Sequence, residues 1–109
     1  MRATKNIEEE LSKMIVETGL EKKDCLEIFQ MFFEDLPSQF IIIEDALDNS
    51  DFLRLQSISH QLKGASGSLR LKSLHSLMQE IELAAKGCNY SLGVALLKRI
   101  KEQVRLYVD

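Results

Sequence analysis

The sequence predicts an all-α fold, an up-down four-helix bundle with an additional short N-terminal helix. Apolar residues recur at the helical spacing of three and four through most of the 109 residues. The single proline and five glycines leave little room for a fold rich in β-turns. With 45% hydrophobic and 28% charged residues, the chain has the size and composition of one globular domain, so residues 1–109 are expected to form a single domain.

The first two helices are bounded by capping and stop residues. The segment Asn6–Glu9 has the spacing of a capping box and opens the first helix, and Gly19 is a favourable residue for ending it. A second helical stretch runs from about Lys22 to Leu47. Pro37 lies inside this stretch and is expected to break or kink it near Leu36, because proline removes a backbone hydrogen bond.

Three further helices follow, joined by short turns. A cluster of turn and N-cap residues at 48–51 precedes a third helix from about Phe52 to Gly67. A fourth helix runs from about Lys72 to Lys86, and the turn at 87–89 ends it and caps a last helix from about Tyr90 to Tyr107. Short connections favour antiparallel neighbours, as in an up-down bundle. In the first, second, fourth and fifth helices, one face supplies apolar residues to the predicted core: Ile7, Leu11, Met14, Ile15, Leu26, Phe29, Phe33, Leu36, Phe40, Ile43, Leu47, Leu74, Leu77, Met78, Ile81, Ala85, Leu96, Leu97, Ile100 and Val104.

Charge, apolar runs and cysteine usage argue against several classes of protein. The net charge of −3 argues against a nucleic-acid-binding protein. Apolar runs such as Phe40–Ile43 are only four residues long, and the N-terminus lacks the apolar region of a secretory signal. Cys25 and Cys88 are isolated, which predicts reduced, packed thiols rather than a disulfide or metal site. We therefore expect a cytoplasmic protein that binds neither nucleic acid nor membranes, and a monomer.

The third helix places an exposed histidine opposite an apolar stripe. At 100° per residue, with His60 at zero, the stripe lies between about 140° and 220°. Its members are Leu55, Ile58, Leu62, Ala65 and Leu69. The residues within about 60° of the histidine are Gln56, Lys63, Gly64 and Gly67. The helix is thus predicted to bury one side and to expose an imidazole beside an ammonium group and a glycine.

Two features of this exposed face suit a histidine that carries phosphate. Gly64 costs about 0.5–1 kcal/mol relative to alanine and gains nothing in packing on an exposed face, but its missing side chain lets another molecule approach. Lys63 favours an anion on or beside the imidazole. The alternative is an ordinary surface histidine on an amphipathic helix, with Lys63 solvated.

The segment His60–Ser66 resembles the H-x-L-K-G-[AS]-[AS] motif of histidine-containing phosphotransfer (HPt) domains. Two further segments are similar to patterns of that family. Phe32–Pro37 is similar to its F-x-x-x-x-P segment, and Leu77–Lys86 is similar to the segment that ends in L-E-x-A-A-[KR]. The resemblance covers nearly the whole chain, and it implies a helical bundle whose histidine is phosphorylated.

The resemblance implies roles for the residues around His60. His60 would be the phospho-acceptor and would attack phosphorus through Nε2, while Lys63 would offset phosphate charge and Gly64 would admit the partner. Glu82 stands 22 residues after His60, where some relatives have a Glu or Gln that hydrogen-bonds the ring. It would then accept from Nδ1–H and leave Nε2 free. A solvated boundary carboxylate is an equal alternative for Glu82.

Four residues near the histidine are candidates for partner docking. Leu53 projects about 20° from His60 and suits a docking surface, together with Gln56 and Gly67. Arg70 takes a position at which the HPt family often has glycine. It either adds to a basic patch or alters partner choice, and Gly67 takes over the role of easing the loop. His75 is expected to be a plain surface histidine.

The charge distribution predicts an acidic partner. Residues 52–79 contain no Asp or Glu, in a chain with 17 of them, but contain the cations Arg54, Lys63, Arg70 and Lys72. The histidine region is thus predicted to be locally basic and to attract an acidic surface. Because the sequence has no Gly-rich phosphate loop, nucleotide-binding motif or kinase motif, we expect a phosphate carrier rather than an enzyme, without a cofactor or metal of its own.

Three functional hypotheses stay open at this point. The first is a phosphorelay carrier: the resemblance implies a response-regulator receiver domain that brings its own aspartate and Mg²⁺, and a sensor or hybrid histidine kinase in the same pathway. The second is the phospho-accepting substrate domain of a chemotaxis-type histidine kinase, which Glu82 slightly favours. The third is a helical adaptor that binds a receiver without being phosphorylated; the presence of His60 and Lys63 argues against it.

Overall fold

A computed structural model describes the backbone of residues 5–108 and the side chains of residues 7–108. This part of the chain contains five α-helices. Their bounds are α1 Lys5–Thr18, α2 Lys22–Asp48, α3 Phe52–Ser68, α4 Lys72–Lys86 and α5 Tyr90–Val104. The all-α class is therefore confirmed, and all five predicted helices are present. The four-helix up-down arrangement stays a prediction, and the side chain of Asn6, which the predicted capping box requires, lies outside the described residues.

The starts of α3 and α5 and the end of α1 follow the local capping chemistry. Asp51 accepts a hydrogen bond from the backbone N–H of Arg54 at the start of α3, and Asn89 accepts one from Leu92 at the start of α5. Gly19 adopts a positive φ of 71° just after α1, which is the conformation of a glycine stop. The predicted last helix was too long, because α5 ends at Val104 and the chain then turns.

Pro37 does not break the second helix, and the alternative expectation of a kink near Leu36 stays a prediction. Helix α2 continues through Pro37 as one element of 27 residues. Leu36 and Phe33 are buried on the inner face while Pro37 is exposed. Burial of the apolar face on both sides of the proline holds the helix together against the loss of one backbone hydrogen bond.

The core lies between the inner faces of the helices, as the apolar spacing predicts. The predicted core residues are buried or, for Ile15, Leu26, Phe40 and Val104, packed against the core while partly exposed. Helix α2 packs on α1, α3 and α5, and α4 packs on α3 and α5. Gly93 permits the approach of α5, because a β-carbon at this position would lie 2.8 Å from Cδ2 of Leu47.

The buried face of α3 is rotated from the predicted one. Leu55, Ile58, Leu62 and Leu69 are buried as expected, but Ala65 is exposed. Its place is taken by two fully buried serines, Ser59 and Ser66. At 100° per residue both serines lie within about 60° of Lys63, which contacts Glu82 of α4, so the buried stripe extends toward α4 rather than ending at the apolar residues.

The two cysteines are free thiols in different surroundings. Cys25 is fully buried in α2, as predicted. The prediction that Cys88 is also packed is wrong, because Cys88 is exposed and has a φ of 51° in the turn between α4 and α5. Within the described residues, none of the helices combines the length and the apolar character needed to cross a membrane.

Candidate functional site

His60 lies in the middle of α3 with its ring directed at α4. Its side chain is 68% exposed, and Nδ1 lies 2.7 Å from Oε2 of Glu82. A carboxylate at this distance accepts a hydrogen bond, so the proton of the neutral ring is on Nδ1 and the lone pair is on Nε2. The contact thus orients the imidazole and leaves Nε2 as the nucleophilic atom.

Glu82 is buried in α4, where only 4% of the residue is exposed, and both of its carboxylate oxygens have partners. Oε2 accepts from His60, and Oε1 accepts from Nζ of Lys63 at 2.7 Å. The hydrogen bond from Lys63 holds the pKa of Glu82 below its ordinary value of 4.5; burial acts in the opposite direction, and the hydrogen bond from His60 adds to the lowering. Glu82 is therefore ionised at neutral pH, and it is not the solvated carboxylate that the sequence left as an alternative.

Two small buried serines allow α4 to bring Glu82 this close to α3. The hydroxyl of Ser59 donates to the carbonyl of Leu55 at 2.6 Å, and the hydroxyl of Ser66 donates to the carbonyl of Leu62 at 2.8 Å. Their polar atoms are satisfied within α3, so the serines occupy an interface with little desolvation cost. Helix α3 consequently packs more extensively against α4 than against any other helix.

Gly64 leaves an open space beside His60. Apart from the adjacent residues and the backbone of its own helix, no described atom lies within 4 Å of the place that a β-carbon at Gly64 would take. Packing within the protein therefore does not explain this glycine, which agrees with the predicted opening for a partner. Leu53, in the first turn of α3, is 82% exposed, and Gln56, which lies between Leu53 and His60 along the helix, is half-buried.

The absence of a side chain at Gly67 is explained by the neighbouring ring of His75, which the sequence did not predict. A β-carbon at Gly67 would lie 2.9 Å from Nδ1 of His75, so the glycine makes room for this ring. His75 is half-buried, and its Nδ1 lies 2.9 Å from the carbonyl oxygen of Lys63. Because a carbonyl only accepts, Nδ1–H of His75 donates. His75 is therefore not a plain surface histidine, and its position seven residues before Glu82, on the same face of α4, was the available signal.

Arg70 occupies a left-handed position with a φ of 60° in the turn between α3 and α4. Such a φ favours glycine, which explains why a glycine suits this position in similar sequences. The guanidinium donates to the carboxylate of Glu17 in α1 and to the carbonyl of Ser68. Arg70 thus links α1 to the α3–α4 turn, and its role in partner docking stays a prediction.

The predicted basic patch is wrong, because carboxylates from other helices pair with three of its four cations. Lys63 pairs with Glu82 of α4 and Arg70 pairs with Glu17 of α1. Arg54 pairs with Asp45 of α2 at 2.7 Å. Only Lys72 has no carboxylate partner among the described residues.

A protein-family model described as the Hpt domain matches residues 27–107, which is more than half of the chain and includes His60, Lys63 and Glu82. Neither the search of curated proteins nor the search of solved structures found a match.

Proposed function

Because the chain belongs to the Hpt domain family, whose members are phosphocarrier modules rather than enzymes, we propose that His60 is the phospho-acceptor of a phosphorelay. In this proposal His60 accepts phosphate from the aspartate of one receiver domain and passes it to another receiver. The observation that carries the proposal is the contact between Nδ1 of His60 and the buried Glu82 carboxylate, which leaves Nε2 exposed as the nucleophile.

The transfer proceeds by displacement at phosphorus. The lone pair of Nε2 forms the P–N bond while the bond from phosphorus to the aspartyl oxygen breaks, and the receiver's aspartate leaves as a carboxylate. The proton on Nδ1 stays in place and continues to donate to Glu82. The positive charge that develops on the ring therefore lies 2.7 Å from a carboxylate, which stabilises it. Transfer to the second receiver is the same step in reverse, with the electron pair returning to Nε2.

Lys63 supports the site in two ways under this proposal. In the resting protein its Nζ donates to Glu82, which keeps the carboxylate ionised beside His60. Its side chain is 24% exposed and lies one helical turn from the histidine, so its charge also offsets that of the phosphoryl group. The aspartate and Mg²⁺ that phosphoryl transfer requires belong to the partner receiver, which docks over the open space at Gly64 with Leu53 and Gln56 at its edge.

A second candidate function keeps the same chemistry but changes the donor. The domain would be the substrate of a chemotaxis-type histidine kinase, phosphorylated on His60 from ATP by a separate catalytic domain. The observation in its favour is again Glu82, since a carboxylate rather than an amide contacts the ring and strengthens its nucleophilicity.

The test compares donors for the wild-type protein and for His60→Gln. One arm uses a panel of receiver domains carrying a labelled aspartyl phosphate with Mg²⁺, and the other uses chemotaxis-type kinase catalytic domains with labelled ATP. We expect label to move from receivers to the wild type only, and to be lost in acid but retained in base. Label from ATP alone would favour the second candidate, and no label from either source would contradict both.

A further inference from the structure

A cavity opens on the His60 side of the molecule, where α3 ends and α4 begins. It has a volume of about 460 Å³ and is lined by Gly67, Arg70, Lys72, His75 and Ser76. The ring of His75 forms one wall, held over Gly67 by the hydrogen bond from its Nδ1–H to the carbonyl of Lys63. This contact leaves Nε2 as the remaining polar atom of the ring. The cavity is thus shaped by a fixed side chain and by a glycine.

The cavity carries one positive charge that no carboxylate of the described residues balances. Arg70 is neutralised by Glu17. Lys72 is exposed and has no carboxylate partner in the part of the chain that the structure describes. It is the one cation of the acid-free segment 52–79 for which this holds, so the uncompensated charge of that segment is concentrated at the cavity.

The cavity lies within reach of a partner that covers His60. Gly67 follows His60 by seven residues, which places it about 20° around α3 and about 10 Å along the helix axis. Between them Gly64 presents open space rather than a side chain. A typical protein interface covers about 800 Å² on each partner, so a protein docked on His60 extends over Gly64 to the cavity.

We propose that this cavity receives an acidic side chain of the docked receiver, and that Lys72 supplies the charge that selects among receivers. The inference rests on the proposed function, and it assigns the electrostatic part of recognition to the α3–α4 turn. Around His60 itself the exposed side chains of Leu53 and Gln61 and the half-buried side chain of Gln56 are uncharged, so that part of the surface recognises shape and apolar area. Charge pairs at the rim of an interface act mainly on the association rate and its salt dependence.

The experiment measures phosphotransfer from receivers that donate to the wild type, using the full chain and two charge-reversal variants. Lys72→Glu tests the cavity. Lys98→Glu is the matched control, because Lys98 is an exposed lysine in the wall of a separate cavity between α2 and α5. Circular dichroism and urea unfolding establish that both variants are folded.

At low salt we expect Lys72→Glu to lower kcat/KM about tenfold, with kcat at saturating receiver changed less than about twofold, because Lys72 does not touch His60. The defect should shrink toward the wild-type value at about 0.5 M salt, and Lys98→Glu should transfer as the wild type does. Equal transfer by the two variants, or a defect that salt does not reduce, would overturn this inference and leave the proposed function intact. Absence of transfer to the wild type from every receiver would instead overturn the proposed function, and this inference with it.

Discussion

The Nδ1–H groups of the two histidines donate to different kinds of acceptor. His60 is mostly exposed and donates to the buried carboxylate of Glu82 at 2.7 Å. His75 is half-buried and donates to the backbone carbonyl of Lys63 at 2.9 Å. Either bond fixes a tautomer and the direction of a ring, but only the carboxylate brings a charge that stabilises a cationic ring. Lys63 joins the two regions, since its ammonium pairs with the acceptor of His60 and its carbonyl is the acceptor of His75.

The largest expected effect comes from removing each histidine in turn. His60→Gln should reduce phosphotransfer from a donor receiver to the background level, because it removes the nucleophile. His75→Gln should keep transfer within about tenfold of the wild type, since only the packing of the α3–α4 turn changes. Labelled transfer assays on folded variants measure both. Loss of transfer in His75→Gln with His60 intact would contradict the distinction between the two rings.

The next largest effect separates the charge of Glu82 from its role as the hydrogen-bond acceptor of His60. Glu82→Gln keeps an oxygen that accepts from His60 but removes the charge, so we expect transfer to slow about 10- to 100-fold, the equivalent of about 1.4–2.7 kcal/mol. The measurement is the single-turnover transfer rate. A rate equal to that of the wild type would show that Glu82 only orients the ring, as the carbonyl of Lys63 does for His75.

The same carboxylate makes a pH-dependent contribution to stability. Because the pKa of Glu82 is lowered in the folded protein, its contribution is present above the ordinary value of 4.5 and is lost as pH falls through the lowered folded pKa. We expect Glu82→Gln to be less stable than the wild type by about 1–1.5 kcal/mol at pH 7. Urea unfolding of both proteins should show this difference shrinking below the ordinary pKa. A difference that is constant with pH would contradict the assignment.

The smallest expected effects are changes in stability at Gly64 and Gly67, the two glycines near these rings. Gly64→Ala should stabilise the protein by about 0.5–1 kcal/mol, because the methyl group enters open space on a helix. Gly67→Ala should lose that gain or destabilise, because its methyl group would meet the ring of His75 at 2.9 Å. Urea midpoints of the two variants give the comparison. Equal stabilisation by both would mean that His75 moves aside at little cost.

The sequence was sufficient for the elements of this fold, while the central contact of the site was one of two equal alternatives for Glu82. Periodic apolar residues and capping residues predicted all five helices, because those signals are local. The resemblance to HPt domains implied the ring contact of Glu82, beside the equal alternative of a solvated carboxylate, and the structure contains the contact. Open space at Gly64 was predictable as well, since it depends only on which face of α3 is exposed.

Features that depend on the neighbouring helix were not predictable from one helix at a time. A helical wheel gives angles but not the direction from which α4 approaches, so the predicted stripe included Ala65, which is exposed, and did not include Ser59, which is buried. Arg54 and Arg70 looked free because their carboxylates lie on other helices, 9 and 53 residues away. The continuity of α2 through Pro37 likewise depends on tertiary packing, which outweighs a local helix breaker.

Helix α1 lies outside the family match but contributes side chains to the hydrophobic core. The family match starts at residue 27, and it contains His60, Lys63 and Glu82. Yet Ile7, Leu11 and Met14 of α1 are at most 5% exposed, and Glu17 anchors Arg70. A truncated chain that began at the family boundary would keep every group of the phosphate site but lose these three core side chains and also that of Cys25. A shortened version of this protein should therefore keep the buried residues of α1 rather than begin where the family match begins.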